Sequence, residues 1–189
     1  YIHDKIMQEV IYPTLEGLKK AGHLYCGFLY AGMMIDKNND LKVLEFNCRF
    51  GDPETQPIMM RLKSDLADLC DKACDSNLQN EELKWDEKKS VCVVRGSRGY
   101  AFGYEKNKLI GELAEETAKL KVYHDGTKIE ENKLKSNGGR VLCVTALGDS
   151  VELAQQNAYD AISLIDWEDA YYRKDIGHRA IKRERIESN

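Results

Sequence analysis

Long apolar runs are missing from this chain. No stretch approaches the roughly 20 residues that a membrane-spanning helix needs, and no signal peptide is visible, so a cytoplasmic location is expected. A dense basic stripe is missing too. Lys182, Arg183 and Arg185 cluster near the end, but Glu184 and Glu187 dilute them, and the formal net charge is -4. A nucleic-acid partner is therefore not expected, because neutralising phosphates takes a concentrated positive face. The six cysteines (Cys26, Cys48, Cys70, Cys74, Cys92 and Cys143) include no Cys-x-x-Cys pair. Most sit in apolar runs such as residues 91–94 and read as buried free thiols in a reducing compartment. Cys70 and Cys74 lie one helical turn apart, yet Leu66, Leu69 and Ala73 make that turn a core-facing stripe rather than a metal pair. Internal repeats and low-complexity segments are absent.

What is present is material for a folded protein. Apolar residues make up 42% of the 189 and charged residues 32%, with both signs mixed, which is enough for one large domain or two small ones. Ile2, Ile6, Val10, Leu15 and Leu18 recur at helical spacing from the first residue, which suggests that upstream chain is missing. Pro13 is expected to kink or re-nucleate this helix and Gly22 to stop it. Residues 25–35 form an apolar run that predicts a strand covered on both faces. After the polar turn 36–40, residues 41–47 predict its antiparallel hairpin partner. Helical patterns follow through Ile58, Met59 and Leu62, then from Ser64 as N-cap to Cys74. The polar stretch 75–89 reads as a linker, placing a domain boundary near residues 88 and 89.

Beyond it, residues 90–94, 121–124 and 140–146 predict strands. Turns fall at Asp125-Gly126 and Asn137-Gly138-Gly139, and Ser150 caps a helix with Val151, Ala154, Ala158, Ala161, Ile162 and Ile165 on one stripe. The expected class is α+β, with an antiparallel sheet and packing helices in two modules, 1–88 and 89–189.

One strand carries the chemistry. Side chains alternate faces along a strand, so Glu45, Asn47 and Arg49 point one way while Leu44, Phe46 and Cys48 point the other. Neighbours in the polar trio are roughly 6.5 Å apart along the strand. A carboxylate and an amide are hard oxygen ligands suited to Mg²⁺ completed by nucleotide phosphates. A guanidinium can hold phosphate oxygens or stabilise charge developing in phosphoryl transfer. Taken alone, the trio equally describes the solvated face of a half-buried strand. The segment Gly51-Asp52-Pro53-Glu54 tips the balance, since a rigid turn there brings in two further carboxylates.

The run Gly27-Phe28-Leu29-Tyr30-Ala31-Gly32 and the longer motif Glu45-Phe46-Asn47-Cys48-Arg49-Phe50-Gly51-Asp52-Pro53-Glu54-Thr55-Gln56-Pro57 closely resemble the glycinamide ribonucleotide synthetase family, the phosphoribosylamine–glycine ligases. The resemblance continues through His124-Asp125-Gly126-Thr127, Asn137-Gly138-Gly139-Arg140-Val141-Leu142 and Arg173-Lys174-Asp175-Ile176-Gly177. It implies the C-terminal half of an ATP-grasp domain followed by a small C-terminal module. It also implies an ATP-dependent ligation in purine biosynthesis, in which glycine is converted to glycyl phosphate and the amine of phosphoribosylamine displaces phosphate. By position, Glu45 and Asn47 would bind Mg²⁺ or Mn²⁺ and Arg49 would meet the transferred phosphoryl group. Gly51, Asp52 and Glu54 would place the substrates.

Two departures stand out. The preceding strand lacks the acidic ligand that many ATP-grasp enzymes have. Gly99-Tyr100-Ala101-Phe102-Gly103 replaces the family's Gly-Tyr-Pro-Gly turn. The family's phosphate-covering loop lies upstream of the matching region, and Gly96 to Gly103 lacks the phosphate-loop pattern. The chain alone is thus expected to be inactive and to need the missing N-terminal half as its partner. Another ATP-grasp carboxylate–amine ligase or carboxylase, or a non-catalytic interaction module, are the competing expectations. His124, at a strand end, reads as structural, and Tyr12, Tyr25 and Tyr30 as core aromatics.

Overall fold

The computed structural model describes residues 1–168 and 170–187. Contacts divide the chain into two units: Tyr1–Gly51 with Ser64–Glu82, and Asp52–Lys63 with Leu83–Asn189.

The first unit opens with α1 (Ile2–Ile6), a π-helical turn (Met7–Ile11) and α2 (Tyr12–Lys20). The π turn immediately precedes α2, whose first turn holds Pro13, a residue with no N–H to give. The helix stops where Gly22 takes φ +85°. A hairpin follows, β1 (Tyr30–Ile35) against β2 (Leu41–Asn47). Asp36 accepts from the amides of Asn38 and Asp40 at 2.8 and 2.9 Å and shapes the connection. These two bonds hold its carboxyl below the usual aspartate range. The strand begins five residues later than its apolar pattern predicts, because β2 ends opposite Tyr30 and offers residues 25–29 no ladder partner. Nor are its faces fully covered: only Gly32 is buried, and Met34 and Ile35 are 55% and 40% exposed. The last helix of this unit takes its own cap. Asp65, not Ser64, accepts from Ala67 and Asp68, because a carboxylate reaches both amides of the first turn.

The second unit begins with α3 (Thr55–Arg61) and, after α4 (Leu66–Cys74) of the first unit, continues with a four-stranded antiparallel sheet ordered β4-β7-β3-β8. Its central strands are β3 (Lys89–Ser97) and β7 (Arg140–Gly148), flanked by β4 (Leu120–His124) and β8 (Ala170–Tyr171). Val141, Leu142, Cys143, Val144 and Ala146 are fully buried, so β7 is covered on both faces. α5 (Val151–Leu164) is capped by Ser150 accepting from Leu153, and it buries Ala154, Ala158, Ala161 and Ile162 against β7 and β3. Small residues on this stripe let the helix lie close to the sheet. α6 (His178–Glu187) closes the unit, with its Glu184 accepting from Val151 N at 2.8 Å. A hairpin that the pattern does not predict, β5 (Thr127–Glu130) with β6 (Lys133–Ser136), turns through Glu131 and Asn132 at positive φ.

Stretch 75–89 is more than a linker. Leu62 bridges Trp85, and Lys63 N donates to Lys84 O at 2.8 Å. The cysteines are free, but only Cys143 is buried; Cys26, Cys48 and Cys74 are exposed. α4 buries none of its residues, so the stripe through Cys70 and Cys74 does not face a core. Tyr12 is also exposed, whereas Tyr25 and Tyr30 are half-buried.

Candidate active site

The hairpin register places the candidate residues of the first unit. Glu45 lies opposite Gly32 and Asn47 opposite Tyr30, so alternation puts both oxygen-bearing side chains on one face of β2. Glu45 depends on its neighbour having no side chain. A Cβ on Gly32 would stand 3.0 Å from Glu45 Cγ and 3.6 Å from its Oε1. The carboxylate stem therefore occupies the space that any other residue at position 32 would fill. Glu45 is exposed and Asn47 half-buried.

Arg49 does not extend the alternation. The strand ends at Asn47, Cys48 and Arg49 form a bend, and the guanidinium donates to Phe50 O at 2.8 Å. Phe50 in turn packs on Phe28 with ring centroids 4.1 Å apart, which anchors the bend. Gly51, buried, ends this unit.

Asp52 and Glu54 belong to the second unit. A cis bond joins Asp52 to Pro53, and Glu54 is the N-cap residue of α3. Asp52 is gripped from β7: Arg140 Nη2 lies 2.5 Å from Asp52 Oδ2, and Nη1 is 3.5 Å from Asp52 O. Asp125 Oδ2 lies 3.9 Å from Nε of the same guanidinium. His124 pairs with Thr127 Oγ1 at 3.0 Å, a contact that closes its own turn. Sequence reasoning missed both Gly32 and the Arg140–Asp52 pair. The hairpin register would have flagged Gly32, whereas nothing local announces a contact 88 residues apart.

Comparison with known proteins fixes the family. The family described as "Phosphoribosylglycinamide synthetase, C domain" matches residues 90–179, and "Phosphoribosylglycinamide synthetase, ATP-grasp (A) domain" matches residues 1–55. The chain is 53% identical over 184 residues to the phosphoribosylamine–glycine ligase of Vibrio parahaemolyticus, covering 97% of this chain and 43% of that protein. The chain belongs to the phosphoribosylglycinamide synthetase family. The phosphoribosylamine–glycine ligase of Thermotoga maritima superposes with a TM-score of 0.78 at 34% identity, over 90% of this chain and 42% of that one. A biotin carboxylase from Campylobacter jejuni shares the fold, with a TM-score of 0.62 at 12% identity over 90% of this chain and 38% of its own. The chain thus spans less than half the length of the ligases it matches.

Whether the donors present fit magnesium is decided by their chemistry. Among the described residues no group of three His, Cys, Asp or Glu side chains converges on one point. A self-sufficient metal cage of those types is therefore not built here. The same-face pair Glu45 and Asn47 offers two oxygen donors. That fits an ion which keeps several waters and takes its remaining ligands from nucleotide phosphates.

The Gly99 loop folds on itself instead of opening as a phosphate cradle. Phe102 N and Gly103 N both donate to Gly99 O, at 2.9 and 3.1 Å. The Cys143 thiol hydrogen-bonds to Cys92, which lowers the Cys92 pKa and raises that of Cys143. Both sulfurs sit on central strands of the sheet, away from the Glu45–Asn47 hairpin in sequence and unit.

Proposed function

We propose that the full-length protein is an ATP-dependent ligase that joins glycine to 5-phosphoribosylamine, giving glycinamide ribonucleotide, ADP and phosphate in purine biosynthesis. The observation that carries this reading is the 53% identity to a phosphoribosylamine–glycine ligase across 97% of the chain. In this reading residues 1–88 complete the ATP-grasp domain and residues 89–189 form the ligase's C-terminal domain. The rest of the ATP-grasp fold comes from the N-terminal half of the same polypeptide.

Glu45 and Asn47 would hold Mg²⁺ or Mn²⁺, whose chemistry is to neutralise phosphate oxygens during phosphoryl transfer. Arg49 is the residue assigned to the phosphoryl group or acyl phosphate, where a guanidinium stabilises oxygen charge. In the chain alone it rests on Phe50 O at 2.8 Å, a neutral acceptor that a phosphate would displace readily. Gly51 brings backbone to the bend, and Asp52 and Glu54 offer carboxylates to the amine-bearing substrates. No helix among the described residues is long and apolar enough to cross a membrane, and the reading places the enzyme in the cytoplasm.

The test uses the full-length protein. Glycine-dependent ADP release that also requires phosphoribosylamine supports the assignment, and Glu45→Ala and Asn47→Ala should each lower it about a hundredfold or more. Unchanged activity in both variants removes the metal assignment. ADP release that ignores phosphoribosylamine points to another carboxylate ligase. The chain of 189 residues by itself should show at most weak Mg-nucleotide affinity by calorimetry and no turnover.

A further inference from the structure

The residue that ties the Asp52 turn to its sheet starts from an unusually constrained piece of backbone. Arg140 opens β7 directly after Gly138 and Gly139, where two loops cross. A Cβ on Gly126 would fall 2.5 Å from Arg140 O and 2.7 Å from Gly138 Cα, so the chains touch with no room for a side chain. The crossing is also stitched by hydrogen bonds. Asn137 N donates to Gly126 O at 2.7 Å, Asp125 N to Val141 O at 3.0 Å and Ser97 N to Gly139 O at 2.8 Å, while Ser97 Oγ donates to Gly138 O at 3.0 Å. Little freedom is left at the base of the Arg140 side chain.

From that base the guanidinium reaches residue 52 at two points, the carboxylate and the main-chain carbonyl. An exposed ion pair commonly contributes little, and Arg140 and Asp52 are 35% and 40% exposed. This one differs in holding side chain and backbone of one residue together, which fixes orientation as well as distance. Asp125 adds a second negative charge, 3.9 Å from Nε of the same guanidinium.

We propose that Arg140 is a positioning residue: with Asp125 beside it, it fixes the Asp52 carboxylate and the turn that leads into α3. The proposal rests on the reading that Asp52 and Glu54 meet the amine-bearing substrates. Arg140 itself touches no substrate in this scheme. Its contribution is to hold the turn in the form that receives one.

Two measurements on the full-length protein test it. The first does not depend on activity: amide hydrogen exchange of the peptide covering residues 51–58 in Arg140→Gln and Arg140→Lys. Exchange about tenfold faster in the Gln variant, partly restored in the Lys variant, is expected from loss of a charge-assisted contact. Exchange unchanged in both variants overturns the proposal. The second is a kinetic cycle with Asp52→Asn. Arg140→Gln should raise KM for glycine or phosphoribosylamine about tenfold, leave KM for MgATP within about threefold, and add less than about twofold on top of Asp52→Asn. Fully additive effects would mean that Arg140 acts on substrate directly, which also overturns it. An inert Asp52→Asn variant together with faster exchange in Arg140→Gln would sink the substrate role of the turn and leave the positioning of Asp52 intact. Arg140→Lys keeps the charge and serves if the Gln variant fails to fold.

Discussion

Replacing Gly32 by alanine should damage catalysis far more than folding. The added Cβ stands 3.0 Å from Glu45 Cγ and 3.5 Å from a ring carbon of Tyr30. Carbon atoms rest at about 3.5–4.0 Å, so Glu45 must retreat by roughly half an ångström to an ångström or change rotamer. The obstacle is a flexible and exposed side chain, so the cost to stability is about 0.5–1.5 kcal/mol, that of one off-rotamer torsion. In a chain of this size that is a melting shift of no more than about 6 °C. The cost to Glu45 in its proposed role as metal ligand is larger. Displacing a reacting or coordinating group by about 1 Å can lower turnover by up to a hundredfold. The assay is glycine-dependent ADP release by the full-length protein over a magnesium titration, set beside thermal unfolding. We expect a tenfold to hundredfold fall in kcat/KM and a shift of the magnesium requirement to higher concentration. An alanine variant with activity within about twofold of the parent at limiting magnesium would refute the placement of Glu45 as ligand from this face.

Arg95 and Asp86 give two further outcomes. The Arg95 guanidinium is 4% exposed, donates to Ile165 O at 2.9 Å and Ile162 O at 3.4 Å, and lies 5.4 and 5.9 Å from the Trp167 and Tyr172 rings. Arg95→Met should lower the second unit's stability by about 2–3 kcal/mol, some 4–12 °C in Tm by calorimetry. An unchanged or higher Tm would show that the cost of burying the charge outweighs those contacts. Asp86 accepts from Lys63 Nζ and Lys88 N, both at 2.9 Å, and these bonds hold its pKa below the ordinary 3.8. A lowered carboxylate pKa adds stability above about pH 4 that is lost as pH falls through the folded value. Asp86→Asn should therefore flatten the acid limb of Tm against pH relative to the parent, and an identical acid limb would remove Asp86 from the account.

How much of this was legible in the sequence depends on the range of the interaction. β2 over Leu41–Asn47, the Ser150 cap and the Ala154-Ala158-Ala161-Ile162 stripe follow from patterns a few residues long, and the structure reproduces them. The start of β1 does not follow from local pattern, because residues 25–29 are as apolar as a strand but have no partner. Asp65 displaced Ser64 as cap through its longer reach, a choice between neighbours that residue preference alone leaves open. The β5–β6 hairpin escaped notice because its turn is Glu131-Asn132, without the glycine that usually marks positive φ. At the site, Glu45 and Asn47 were visible as a same-face pair. Gly32 needed the cross-strand register, and Arg140 needed a contact between segments 88 residues apart.

The surroundings of Glu45 and Arg49, both exposed, set how strongly their charges can act. Two unit charges 4 Å apart interact by about 1 kcal/mol in water and about 4 kcal/mol at the effective dielectric of a protein surface cleft. Phosphoryl transfer to a carboxylate depends on the second regime, since its charge must be stabilised at preorganised donors with bulk water excluded. On β2 as it stands here, Glu45 is open to solvent, its neighbours Leu44 and Phe46 are 64% and 43% exposed, and Arg49 rests on a backbone carbonyl. At that exposure the charges of Glu45 and Arg49 act nearer the aqueous limit than the cleft limit. Excluding water from that hairpin would strengthen the electrostatic action of every one of these groups at once.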